Sequence, residues 1–460
     1  MSYTTFYLCL TFALGYIFFG VESYVPVGRV GQSSILIGNK IYYFGGITDV
    51  GVSNDAFYLD LSQSFNIVNP PWTQMPNIPF GSSWASVALD NSNNADIYLF
   101  GGMMFDVTTQ KDSFKSFVYK FNVNSLSWNI PNVGGTAPSR RIEMKAVSDN
   151  SGKIYIFGGA SNSLVGAPTR TFPNDMITFN IAGPLWSINT AVNGLATYSA
   201  TLLSNGIIVY VGGLSPFNGN NNVIRMADIS QILLFDTNSL TWSMNSARIT
   251  ATIPVESRQR HSAVLAPDDQ IIIYGGTRTT DGVDFNQVSP DVLVIDTKKD
   301  PFEITAPEVS TNIGKFPTLT THSADLYGNY MIVAFGNITR QNAEPLGRSE
   351  KIYVMDIRNF TWINSLELTN QANNNKTTSS SGSQSSNNDK TTIILASVLG
   401  VLGGALIITA GFFAYRFISK RKTEKEVPGF FGSNFDRYDD DAGVPGTPVE
   451  SRYNEFERFK

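Results

Sequence analysis

The sequence predicts an all-β propeller of six blades, and three observations predict it. Short apolar runs end in glycine pairs at a regular spacing, a second run ending in Asp or Asn follows each, and an aromatic residue comes soon after. The glycine runs are IYYFGG, IYLFGG, IYIFGG, IVYVGG and IIIYGG, closing on Gly45-Gly46, Gly101-Gly102, Gly158-Gly159, Gly212-Gly213 and Gly275-Gly276. A sixth run, IVAFGN, reads as a copy that keeps its first glycine at Gly336 and carries Asn337 in place of the second. The first glycines recur every 54 to 63 residues. A strand-and-glycine period near 50 residues marks a radial array of small sheets.

The glycines read as structural. Glycine accepts positive φ and close backbone approach, so a strand can end abruptly beside a neighbour. No helix signal follows any pair, as a phosphate-cradling loop would require. Asn337 is the next-best residue for a left-handed position.

The second run ends at Asp60, Asn122, Asn180, Asp236, Asp296 or Asp356, and each can bond its own backbone two residues on to start a tight turn. Six residues later come Trp128, Trp186, Trp242, Phe302 and Trp362, expected to open a fourth strand and pack between blades. The first unit departs, with Trp72 twelve residues on and Pro70-Pro71 inserted before it. A first strand is read from segments upstream of the glycines: His261-Ser262-Ala263, His322-Ser323-Ala324, Tyr198-Ser199-Ala200 and Gln32-Ser33. The second unit is poorest there, with Trp84-Ala85-Ser86, and Arg29, Arg141 and Arg258 stand three residues before this position. Residues 24–28 are the one further candidate strand; otherwise each unit reads as complete, with no strand needed from the other end of the chain.

The order Arg, His-Ser, Gly-Gly, Asp, Trp resembles the kelch repeat, and the resemblance covers roughly residues 29 to 365. It implies a scaffold whose function lies in its loops. Kelch propellers share their architecture with galactose oxidase, which implies a copper-radical oxidase as an alternative. That chemistry needs a cysteine crosslinked to tyrosine and two histidine ligands. The chain has one cysteine, Cys9, in its N-terminal apolar segment, and two histidines, His261 and His322, at matching repeat positions. No catalytic residue, metal ligand or cofactor is therefore assigned, and the chain is read as a non-enzyme. Loop carboxylates Asp106, Asp112, Asp281, Asp284 and Glu344 are read as solvated.

Charged residues make up 15% of the chain, below the roughly 25% of a typical domain, and the net charge is −5. No basic stripe appears, so nucleic acid is not expected as a partner. Residues 1–23 hold an apolar run, Phe6 to Gly20, of secretory-leader length. Residues 24–368 form the expected propeller. Residues 369–391 are a Ser, Thr and Asn-rich stalk. Residues 392–415 are apolar, Ile393 to Tyr415 carrying no charge, and are long enough to span a bilayer. Arg416, Lys420, Arg421 and Lys422 follow, which places the tail, 416–460, inside and the propeller outside or lumenal. This is a single-pass type I arrangement, at the cell surface or in the secretory pathway. Ala396, Gly400 and Gly404 give one face a small-residue spacing that suits a homodimer. Sequons at Asn337, Asn359 and Asn375 would be exposed to glycosylation in this topology.

The expected function is recognition of a protein or glycan on one loop face, with a purely structural surface role as a further alternative. Links between second and third strands (103–116, 160–174, 214–231, 277–290, 338–350) and between blades (129–140, 243–258) are long and share that face. They carry the ligand-contact candidates Arg170, Arg225, Arg278, Arg340, Phe105 and Phe217, with Arg348, Phe172 and Phe285 nearby. Arginine with aromatics is an interface composition.

Overall fold

The computed structural model describes residues 24–279, 286–311, 316–339 and 347–368. All lie in one compact unit, and a second unit falls outside the described residues. So do the expected leader, stalk, apolar span with Ala396, Gly400 and Gly404, and tail, and also Arg340 and Asn375. Among the described residues no helix is long and apolar enough to cross a membrane.

The described chain is all-β and propeller-like, with one 3-10 turn at Ser163–Val165. Its main sheets number six, each with four antiparallel strands in chain order, two of them gaining a short fifth. The first runs Ser33–Ile37, Lys40–Phe44, Ala56–Asp60 and Trp72–Gln74. The innermost strands of the others are Ser86–Leu89, Ala146–Ser148, Ser199–Leu202, Ser262–Leu265 and Ser323–Tyr327. These are the segments read from the Ser-Ala signals, and they neighbour one another in a closed cycle. Residues 24–28 form no strand.

Second strands such as Lys40–Phe44 are buried on both faces, because each sheet packs between two others. Six apolar clusters lie one in each gap between adjacent sheets. The late aromatics fill those gaps. Trp128 meets Phe44 of the preceding sheet edge-on at 5.5 Å, Trp186 meets Phe100 at 6.1 Å, and Trp242 meets Phe157 at 4.7 Å. All six Asp or Asn turns form as expected: Asp60, Asn122, Asn180, Asp236, Asp296 and Asp356 each accept the backbone N–H two residues on.

The sixth repeat corrects the reading of Gly336. Phe335, at φ 63°, takes the place of the first glycines, whose φ lies between 56° and 65°. Gly336, at φ 91°, takes the place of the second. The hydrogen bonds agree. The second glycine of each sheet donates its N–H to a carbonyl of the next: Gly46 to Ser82, Gly102 to Arg141, Gly159 to Leu195, Gly213 to Arg258, Gly276 to Leu319, and Gly336 to Arg29. Asn337 instead follows the pair and joins a short strand, Asn337–Ile338.

Phe335 departs from glycine for a reason. Its ring stacks on Trp72 at 5.8 Å and meets Tyr43 and Phe57 edge-on, filling the seam between the sixth sheet and the first. Arg29 lies over both Phe57 and Phe335. The same seam explains the long first unit. Its extra residues supply a strand, Phe65–Asn66, that pairs with Ser365–Leu366 near the end of the described chain. Closure therefore does use residues from the other end, against the expectation that each unit stands complete. Chain leaving the fourth and fifth sheets grips the next outer strand in the same spirit, at Arg248–Ile249 and Ser310–Thr311.

Phe335→Ala is expected to destabilise the fold by about 3–5 kcal/mol, as large core truncations do. Phe335→Gly should cost about 1 kcal/mol less, because it relieves the left-handed backbone. Denaturant titration of the two variants checks both the size and the order.

Candidate functional site

The sequence places one residue between each link and its innermost strand, and the structure turns those six into a ring. They are Gly31, Trp84, Glu143, Thr197, Arg260 and Thr321, all at φ between 53° and 65°. Each donates its N–H to the carbonyl of the ring residue before it: Trp84 to Gly31, Glu143 to Trp84, Thr197 to Glu143, Arg260 to Thr197, Thr321 to Arg260, and Gly31 to Thr321. The ring of six backbone bonds is closed. Five non-glycine residues in this conformation mark a strained, over-determined site.

Side chains cap the opening. A Cβ at Gly31 would lie 2.3 Å from the Trp84 indole, so the bare glycine is what lets that ring lie flat there. Arg260 reaches across to Glu143 with two bonds, Nε at 3.1 Å and Nη2 at 2.8 Å, and its guanidinium stands 6.0 Å from the Trp84 ring. Both members of the pair are buried, at 4% and 8% side-chain exposure. A cavity of about 70 Å³ lies among these residues. Beneath it a lumen of about 140 Å³ runs between the innermost strands, lined by serines, His261, His322 and Lys145.

The two histidines are rivets between sheets. His261 Nε2 lies 2.9 Å from Ser199 Oγ, and His322 Nε2 lies 2.7 Å from Ser262 Oγ, each serine belonging to the preceding sheet. Gln32 holds the equivalent place in the first sheet and bonds Ser323. Burial drives both imidazoles far down, His322 to about 3, so both are neutral. Each Nε2 engages a different serine, and among the described residues no three His, Cys, Asp or Glu side chains group as metal ligands. Arg29, Arg141 and Arg258 are buried too, and bond the carbonyls of Gly45, Gly158 and Gly275.

The links at 103–116, 160–174 and 214–231 contribute to a cap. Phe105, at 1% exposure, belongs to an apolar cluster with Trp84, Met103, Leu164, Phe172 and Leu214, so it is an interior residue rather than a contact on the loop surface. Arg170 lies over Phe172 and bonds the Asn221 carbonyl at 3.4 Å. Arg278 pairs with Glu256 at 3.0 Å. Arg348 pairs with Asp49. Asp106 caps its own turn, and Asp112 pairs with Arg140. Asn337 is buried and strand-paired, which leaves no room for a glycan, whereas Asn359 is exposed in its turn.

The hairpin Leu214–Phe217 with Asn220–Met226 is anchored in the cap by Leu214 and carries its tip outside. Phe217 is 43% exposed and Val223 48% exposed, and Arg225 lies 5.6 Å over the Phe217 ring. Of the six contact candidates, this geometry brings Phe217 and Arg225 together on an open surface. Glu143, Lys145 and Arg260 were not singled out from the sequence. Their signal was the position just before or after the His-equivalent residue, where the ring alone uses five residue types and so hides the repeat.

Glu143→Ala should cost about 3–5 kcal/mol, because it removes one partner of a buried pair; adding Arg260→Met should recover part of that loss. The His322 shift has a definite sign. Its folded value lies below the unfolded one, near 6.5, so the unfolded state binds more protons between about pH 6.5 and 3, and stability falls on acidification through that window. Asp325, raised by burial to about 6, acts in the opposite sense over part of it. Melting curves from pH 7 to 4 should therefore be shallower for His322→Gln than for the parent chain.

Residues 18–276 match the profile of the Attractin/LZTR1 beta-propeller family. Kelch domain-containing protein 3 of Rattus norvegicus is 27% identical over 54% of this chain and 64% of that protein, so the match spans less than two thirds of that relative. A host cell factor homologue of Caenorhabditis elegans is 27% identical over 55% of this chain and 32% of its own length. The solved structure of YjhT superposes with a TM-score of 0.51 at 14% identity, covering 74% of this chain and 98% of YjhT, which speaks to the fold alone.

Proposed function

The chain belongs to the Attractin/LZTR1 beta-propeller family, and on that premise we propose that it is a six-bladed, membrane-anchored recognition protein whose loop face binds another protein. The six sheets are read as six blades because their inner strands close a cycle and the Ser365–Leu366 pairing seals it. The observation that carries the binding surface is the Phe217–Val223–Arg225 hairpin. Among the described residues the links at 103–116 and 160–174 bury Phe105 and Phe172 in the cap, while this one leaves Phe217 exposed under an arginine. An exposed aromatic beside Arg on a rigid support is the composition of a binding hot spot. The anchoring rests on sequence: the uncharged 393–415 segment followed by basic residues argues for a propeller on the outer or lumenal side.

A photo-crosslinking residue at position 217 of the full chain should capture a protein that the same residue at Leu240 does not. Leu240 is exposed in a turn on the opposite face, so equal capture at both positions would sink the surface assignment. Protease digestion of intact cells should remove the propeller and spare the tail; the reverse pattern would overturn the orientation.

A further inference from the structure

We propose that the lumen inside the ring is a binding site for one small carboxylate anion, with Lys145 as its counter-charge. Lys145 is the one lysine or arginine among the residues lining the 140 Å³ cavity. It is exposed, with its side chain open to the space of the lumen. Among the described residues its ammonium makes no hydrogen bond or ion pair; the bond at this residue is its backbone N–H to the Tyr198 hydroxyl. The surrounding protein disfavours its charged form by desolvation, and an anion that accepts several charge-assisted bonds offsets that effect.

The surroundings set the size and charge of the ligand. A water occupies about 30 Å³, so the lumen of about 140 Å³ has room for a group of formate or acetate size with a few waters beside it. The neutral imidazoles of His261 and His322 add no positive charge, and serines of the preceding sheets engage their Nε2 atoms. Asp325, held by the Ser34 hydroxyl at 2.6 Å, carries charge within reach of Lys145 without pairing to it, and so opposes a dianion. Ser86 supplies the second donor. Its Oγ accepts from the Ala146 N–H at 2.8 Å, which leaves its own O–H to give. Two donors on adjacent inner strands suit the two neighbouring oxygens of a carboxylate better than a spherical halide. Trp84 and the Arg260–Glu143 pair narrow the mouth and exclude larger molecules.

The test is calorimetric titration of the full-length chain with sodium acetate, and separately with sodium chloride. Acetate is expected to bind at one saturable site and more tightly than chloride. Lys145→Met should weaken it at least about tenfold, as loss of a charged hydrogen bond does. Ser86→Ala should weaken it by less, and Asp325→Asn should tighten it. No saturable heat, binding unchanged in Lys145→Met, or chloride binding as tightly as acetate would each overturn the proposal. Should Lys145→Met not fold, the opposite shifts in Ser86→Ala and Asp325→Asn decide it, and no shift in either overturns it.

Discussion

Every sheet in this protein is tied to the next through backbone groups held in left-handed conformation. The second glycine of one sheet donates to a carbonyl of its neighbour, and a ring residue of that neighbour donates back one step around the cycle. These bonds bring adjacent backbones so close that a Cβ at Gly45 would lie 2.0 Å from the Ser82 carbonyl oxygen. Side chains are excluded by contact as well as by torsion. The aromatic packing, buried arginines and histidine rivets all occupy the space this spacing leaves.

The exception shows how the constraint is shared. At the last seam Phe335 accepts the left-handed torsion and gives its ring to a cluster with Tyr43, Phe57 and Trp72. Left-handed torsion costs a non-glycine residue roughly 1–2 kcal/mol, and burying an aromatic ring returns more than that. The seam joins two stretches of chain some three hundred residues apart, so extra apolar contact there replaces the short connection that serves elsewhere.

Much of this was legible in the sequence because it repeats. The five full glycine pairs, the Asp or Asn turns and the late aromatics each have one chemical solution, and these appeared where the spacing put them. The ring was not legible, because backbone atoms build it and Gly, Trp, Glu, Thr and Arg all occupy its positions. The sixth repeat misled by one residue, since a glycine followed by Asn looks like a damaged pair while a Phe at positive φ has no sequence signature. Phe105 misled for another reason. Loops of that length were expected on the surface, but their own aromatics let them fold into a cap, and composition alone does not separate the buried Phe105 from the exposed Phe217.

The Ser365–Leu366 strand has a consequence for how the chain is made. A ribosome delivers the molecule from its N-terminus, and five of the six interfaces can form as successive sheets emerge. The Phe65–Asn66 edge and the apolar flank of the first sheet wait through all of that synthesis for residues near 366. For most of its synthesis the first sheet therefore keeps an apolar flank that only the last-made residues cover.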